Sequence, residues 1–200
     1  MRGTHSNLAN RGRDFEDFVI SVNDMYTRSG KAVIYKVPTE FLPIRGANGQ
    51  IKSCKVEHKS CVDFLGRYKA TPVAIEAKQT HTGRIEFEAV QPHQAAFLDA
   101  WCKCTPGVVG LVLVSFNLRR FFAVPWPFWK AAREAWMQQK KTPKSKRTPP
   151  TVTAYGQTWT PPPMASAAPE QFLPEWEVQL GGRTGLPYLE TIEKLEGALE

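Results

Sequence analysis

The sequence predicts an α/β domain in which a mixed central sheet carries helices on its faces. Three observations point there. Phe15, Phe18, Val19, Val22, Met25 and Tyr26 recur at the i, i+3, i+4, i+7 spacing of an amphipathic helix. Val108 to Phe116 is an almost unbroken apolar run, as expected of a central strand covered on both faces. The whole pattern reads helix, strand, strand, strand, helix, strand, an order that lays helices against a sheet.

Taken in order, residues 1–10 read as a polar arm and Gly12 to Ser29 as the first helix, stopped by Gly30. Ala32 to Val37 is a β-rich strand ended by Pro38. Residues 39–59 form a long connection whose Asn48-Gly49 suits a tight hairpin turn. Arg45, Lys52, Lys55 and Lys59 flank that turn, so the connection is either a protruding basic hairpin or a solvated surface loop. Strands are expected at 60–65 and 72–78, with the turn at Gly66-Arg67-Tyr68-Lys69, followed by irregular chain over 79–90. Pro92 suits the first turn of a helix to about Cys104, broken by Pro106-Gly107. After the apolar run, Arg120 to Val124 is a strand and Pro127 opens a helix to about Lys140. Lys140 to Arg147 then places five positive charges in eight residues, with Pro149-Pro150 and Pro161 to Pro163 beyond, and reads as a linker or extended arm. Leu189, Ile192 and Leu195 form a last helical stripe within 188–199. The expected organisation is a core over 1–140 with a basic hairpin inserted at about 39–59, and a Pro-rich basic linker with a C-terminal helical segment over 141–200.

Composition bounds the function. The apolar share of 42% supports a core and argues against global disorder. Lys and Arg number 26 against 19 Asp and Glu, a net charge of +7, which is a weak pointer to nucleic acid. The chain opens on polar and basic residues without a secretory apolar region, and its longest apolar run is too short to cross a bilayer. A soluble, cytoplasmic protein with reduced cysteines is expected. Cys54, Cys61, Cys102 and Cys104 are spaced C-x₆-C and C-x-C, which does not suit structural zinc even with His58 as an added ligand.

The residues that promise chemistry are Asp63, in Val62-Asp63-Phe64-Leu65-Gly66, and Glu76 and Lys78, in Ala74-Ile75-Glu76-Ala77-Lys78. Each acid interrupts an apolar strand. Lys78 lies two residues after Glu76 and therefore on the same strand face. Phosphodiester hydrolysis needs a positioned water and a cation that absorbs charge on the phosphorus oxygens, and carboxylate-held Mg²⁺ provides both. Mg²⁺ takes hard oxygen ligands and retains water, so few protein ligands suffice. Asp63, Glu76 and the carbonyl of Ala77 are the expected metal ligands, with Lys78 orienting or activating water and stabilising the transition state. Glu16, beside the stripe of the first helix, is placed to add a third carboxylate, and Gln94 to approach the edge of the site. The spacing alone also fits two acids at exposed strand ends balanced by nearby lysines. Glu57-His58-Lys59, a second Glu-x-Lys, lies in the polar connection with no apolar strand after it and is set aside.

These residues resemble the RecU family of Holliday-junction resolvases. The resemblance runs through Asn10-Arg11-Gly12 opening into a helix with Glu16, Lys36-Val37-Pro38-Thr39, Val62-Asp63-Phe64 with Gly66, Ile75-Glu76-Ala77-Lys78, and His93-Gln94 with Leu98. It continues in Phe121-Phe122, Phe128-Trp129 and the tail from Leu186 to Leu195, and its specific part is the Asp…Glu-x-Lys region. It implies a restriction-endonuclease-like PD-(D/E)xK fold, a homodimer acting on four-way DNA junctions, and paired strand incision with Mg²⁺ or Mn²⁺ in recombination and repair. Glu16, Asp63, Glu76 and Lys78 would be catalytic, and Arg11, Arg45, Lys52, Lys55 and Lys59 would contact DNA. The 39–59 connection would be the family's stalk, shortened, while 141–170 is longer than the family pattern. A phage or mobile element would suit so compact a relative. A nuclease of the same fold acting on duplex ends or flaps, and a non-catalytic DNA-binding accessory protein, are the alternatives. For a dimer interface the chain offers Phe121, Phe122, Trp126, Phe128 and Trp129, some of them core residues.

Overall fold

A computed structural model describes residues 13–181 and 185–195. Arg11, the 1–10 arm, residues 196–199 of the expected C-terminal helical segment and the side chain of His58 lie outside the described residues.

Helix α1 (Arg13–Arg28) leads into β1 (Ala32–Lys36), and a separate hairpin follows, β2 (Glu40–Arg45) and β3 (Ile51–His58). Strands β4 (Phe64–Tyr68) and β5 (Thr71–Thr80), a short β6 (Ile85–Glu86) and a 3₁₀ turn at Phe87–Ala89 precede α2 (Pro92–Cys104). Then come β7 (Val109–Phe116), β8 (Arg120–Pro125) and α3 (Trp126–Gln139). The rest is short: β9 (Val152–Ala154), β10 (Gln157–Trp159), β11 (Ser166–Ala167), β12 (Glu177–Val178) and a 3₁₀ stretch at Tyr188–Lys194. The main sheet has the order β1-β4-β5-β7-β8-β12. Only β5 and β7 run parallel, joined through α2; the other neighbours are antiparallel.

Strand alternation divides the core into two layers. On one face of β7, Val109, Leu111 and Leu113 pack with Phe15, Val19, Val22 and Tyr26 of α1 and with Leu189 and Ile192 of the tail. On the other, Val112, Val114 and Phe116 pack with Leu98 of α2 and Phe128 and Trp129 of α3. All eight residues of β7 are buried, as its apolar run requires. The mixed sheet flanked by helices agrees with the fold class expected from the sequence.

Three local expectations are corrected. Residues 60–63 are irregular, and β4 begins only at Phe64. Gly66 is a strand residue rather than a turn residue, because a Cβ there would lie 2.0 Å from the Val33 carbonyl oxygen on β1. The turn sits instead at Lys69 and Ala70, with Lys69 in the left-handed region at φ 51°. The Pro-rich stretch is not a bare extended arm: Trp159, Phe172 and Trp176 are buried against Phe122 and Phe128. Burial of each such ring stabilises by about 2–3 kcal/mol. Phe121, Phe122, Trp126, Phe128 and Trp129 are all core residues, at most 2% exposed, and none is available to a partner. No described helix is long and apolar enough to cross a membrane.

Candidate active site

β4 and β5 separate at one end of the sheet, and the site forms where they part. Their ladder ends at Phe64 opposite Ile75. Asp63 then keeps its backbone with β1, its carbonyl accepting the Val37 N–H at 2.8 Å. Its side chain turns the other way and accepts the Ala77 N–H at 2.8 Å, replacing a ladder bond that β4 no longer supplies. The carboxylate is thereby fixed beside the middle of β5. In a strand the N–H and C=O of one residue project to the same side, so the Ala77 carbonyl faces the same opening.

Glu76 is fully buried, on the face of β5 that α2 covers. Its Oε1 accepts hydrogen bonds from the Lys78 ammonium and from Gln94 Nε2, the latter at 2.6 Å. Gln94 is set by its own backbone: its Oε1 accepts the Gln91 N–H at 2.9 Å, which leaves the amide NH₂ to meet Glu76. Pro92 occupies the first turn of α2, where its fixed φ suits the helix start and its missing N–H costs nothing. The other oxygen, Glu76 Oε2, is buried and has no hydrogen-bond partner. Burial pushes the Glu76 carboxyl up to about 8, with neighbouring Asp63 adding to the rise and Lys78 opposing it. A buried, half-satisfied carboxylate beside a second acid is costly unless a cation completes it.

Glu16 stands apart. From the opposite face of the sheet it takes an ion pair with Lys36 at 2.5 Å, and Lys36 lies in register with Phe64, the residue after Asp63. Among the described residues no group of three or more His, Cys, Asp or Glu side chains is arranged to hold a metal. The structure therefore brings together Asp63, Glu76, Lys78, Gln94 and the Ala77 backbone, and leaves Glu16 engaged with Lys36. Lys36 entered the sequence analysis only as part of the family resemblance, because no local pattern pairs residues 20 apart; the packing of α1 on β1 does.

Residues 39–59 form a true hairpin, closed at Gly46–Gln50. Every side chain of β2 is exposed, and Arg45, Lys52, Lys55 and Lys59 are exposed too, with Arg45 Nη1 donating to the Gly49 carbonyl at 3.0 Å.

The sequence matches the RecU family, described as recombination protein U, over residues 10–153. The chain belongs to the RecU family. It is also similar to proteins called Holliday junction resolvase RecU in Streptococcus pneumoniae. The protein of strain Hungary19A-6 is 33% identical over 99 residues, covering 46% of this chain and 50% of the relative. That of serotype 19F strain G54 is 31% identical over the same length. The chain thus spans about half the length of the curated relatives it matches. The family match contains all of the Asp63, Glu76, Lys78 and Gln94 cluster.

Proposed function

We propose that this RecU-family chain is a divalent-metal-dependent endonuclease that resolves four-way DNA junctions, with Asp63, Glu76 and the Ala77 carbonyl holding Mg²⁺ or Mn²⁺. The observation that carries the reading is Glu76 Oε2, a buried carboxylate oxygen without a partner, set beside Asp63. The donors are oxygens only, two of them carboxylates, which fits a hard cation rather than a soft one. When bound, the ion would lower the pKa of a coordinated water and neutralise charge on the phosphate.

The chain's own groups supply the rest. Asp63 is anchored by the Ala77 N–H, so its free oxygen is directed without a cost in side-chain freedom at the time of reaction. Gln94 and Lys78 both hold Glu76 Oε1, which leaves Oε2 as the ligand atom. The Lys78 side chain is only 20% exposed, so its ammonium is partly desolvated and acts strongly on a nearby phosphate oxygen or attacking water. Glu16, held by Lys36 in this structure, would add a third carboxylate to the site if that ion pair opened; Lys36 lies in register with Phe64, the β4 residue that follows Asp63.

The hairpin supports the junction substrate and a homodimer. Phe41 pairs with Val56 and Pro43 with Cys54 across the two strands, making one apolar face on an element that, among the described residues, forms its own two-stranded sheet. Phe41 is 58% and Val56 43% exposed, so this face gains by packing on a second copy. Arg45, Lys52, Lys55 and Lys59, with Arg11 from the N-terminal region, supply the charge for phosphates. DNA handling of this kind belongs in the cytoplasm. The test is cleavage of four-way junction, flap and linear duplex with and without Mg²⁺. Paired, metal-dependent incision of the junction in preference to the others is expected; equal cutting of all three would point to a general nuclease, and no cutting to a binding protein.

A further inference from the structure

The segment Lys140 to Arg147 lies beyond the end of α3 and takes no part in the site above. It is a closed loop rather than a loose one. Gln139 joins its two ends: the Gln139 Oε1 accepts the Thr148 N–H at 2.9 Å, and its Nε2 donates to the Thr148 carbonyl at 3.1 Å. Inside the loop, the Arg147 guanidinium stacks on the Trp136 ring at 4.8 Å. It donates to the carbonyls of Thr142 at 2.8 Å and Gln139 at 3.1 Å, capping the carbonyl end of α3. A further bond, 3.3 Å long, ties it to Pro163 of the Pro-rich segment. Arg147 is thus committed to the framework.

The four lysines are not. Lys140, Lys141, Lys144 and Lys146 are all exposed, and no described acid pairs with any of them. The 3₁₀ turn at Lys144–Lys146 fixes the backbone that carries the last two. Four like charges held on a closed eight-residue loop repel one another and lower stability, so the arrangement is best satisfied by an external polyanion. Trp136, on which Arg147 stacks, is also tied to the 3₁₀ turn at Phe87–Ala89. The Trp136 indole N–H donates to Glu88 at 3.0 Å, and Glu88 precedes by three residues Gln91, whose N–H holds the Gln94 side chain on Glu76.

We propose that the Lys140–Lys146 loop is a second DNA-binding surface, which grips the phosphate backbone of a duplex arm away from the point where strands exchange. This rests on the nuclease reading for its substrate, and is separate from the hairpin and from the carboxylates. Spaced lysines on a rigid loop read charge, not bases, so the grip is independent of sequence.

The experiment compares the wild-type chain with a fourfold Lys→Gln variant at 140, 141, 144 and 146, and with a fourfold Lys→Arg variant. Binding is measured without divalent metal on linear duplex and on junctions with short or long arms, over a range of salt. The log K against log salt slope should flatten by about 0.9 for every phosphate that the variant no longer neutralises. The Gln variant should show a flatter slope and weaker binding on linear duplex and long-armed junctions but little change on short-armed ones, and the Arg variant should restore both. With all sites saturated, the Gln variant should cut at the wild-type rate. An unchanged slope on long-armed substrates would overturn the proposal while leaving the nuclease reading intact. A wild-type chain that binds duplex through these lysines but never cleaves would sink the nuclease reading and leave this surface standing.

Discussion

At the scale of single residues, Glu76 is held in a state that disfavours its own charge. Burial raises its carboxyl from 4.5 to about 8, so the metal-free native state binds a proton more tightly than the unfolded chain does. Its stabilising contribution is therefore full below about pH 4.5 and is lost as pH rises through about 8. In the presence of a chelator, Glu76→Gln should gain stability relative to wild type as pH rises across that window, measured by urea denaturation; a difference independent of pH would show that the carboxyl is not penalised. With Mg²⁺ present the same substitution should abolish cleavage, as should Asp63→Asn, while DNA binding survives. Lys78→Ala should slow cleavage by about 10²-fold, the scale of other groups that stabilise transition-state charge. Single-turnover rates check all three, and normal cutting by either acid variant would misplace the site. Asp63, Glu76 and Lys78 were legible as a group because acids interrupt apolar strands only at a cost. The Gln94 interaction was readable only as nearness to a helix start, since its amide is aimed by a backbone N–H that no spacing rule reports. The ion pair that holds Glu16 was not readable at all.

At the scale of elements, α2, β7, β8 and α3 follow the sequence reading to within about a residue or two, because Pro, Gly and apolar period all mark the same ends. The β4 boundary was misread for a physical reason. Glycine at 66 looks like a turn residue, yet it serves the close approach of β1, where the Val33 carbonyl occupies the space of a side chain. Gly66→Ala should therefore destabilise by roughly 3 kcal/mol or more, the upper range for overpacking against backbone. Chemical denaturation reads this directly, and a destabilisation below about 1 kcal/mol would mean that β1 can move aside. The Pro-rich segment was misjudged because composition reports flexibility and not the burial of three widely spaced aromatic rings. For the hairpin, replacing Lys52, Lys55 and Lys59 with Gln should leave stability unchanged, since all three are exposed. Binding to junctions should fall more than binding to linear duplex, with the salt slope flattened by about 0.9 per phosphate. Equal weakening on both substrates would reduce the hairpin to a generic basic surface.

At the scale of the whole molecule, one chain offers one centre, while resolution of a junction requires cuts on two opposed strands. A two-fold dimer places two such centres symmetrically. The aromatic residues that the sequence offered for an interface are consumed by the core, and on the proposed reading the exposed apolar face of the hairpin would take their place. The decisive measurement is product analysis of a four-way junction cut by mixed dimers of wild-type and Asp63→Asn chains, isolated through different tags. Wild-type dimers should cut both opposed strands with Mg²⁺, mixed dimers should nick one strand, and Asp63→Asn dimers should cut neither. Paired incision by the mixed dimer, or full activity from a proven monomer, would contradict a two-fold, metal-dependent resolvase.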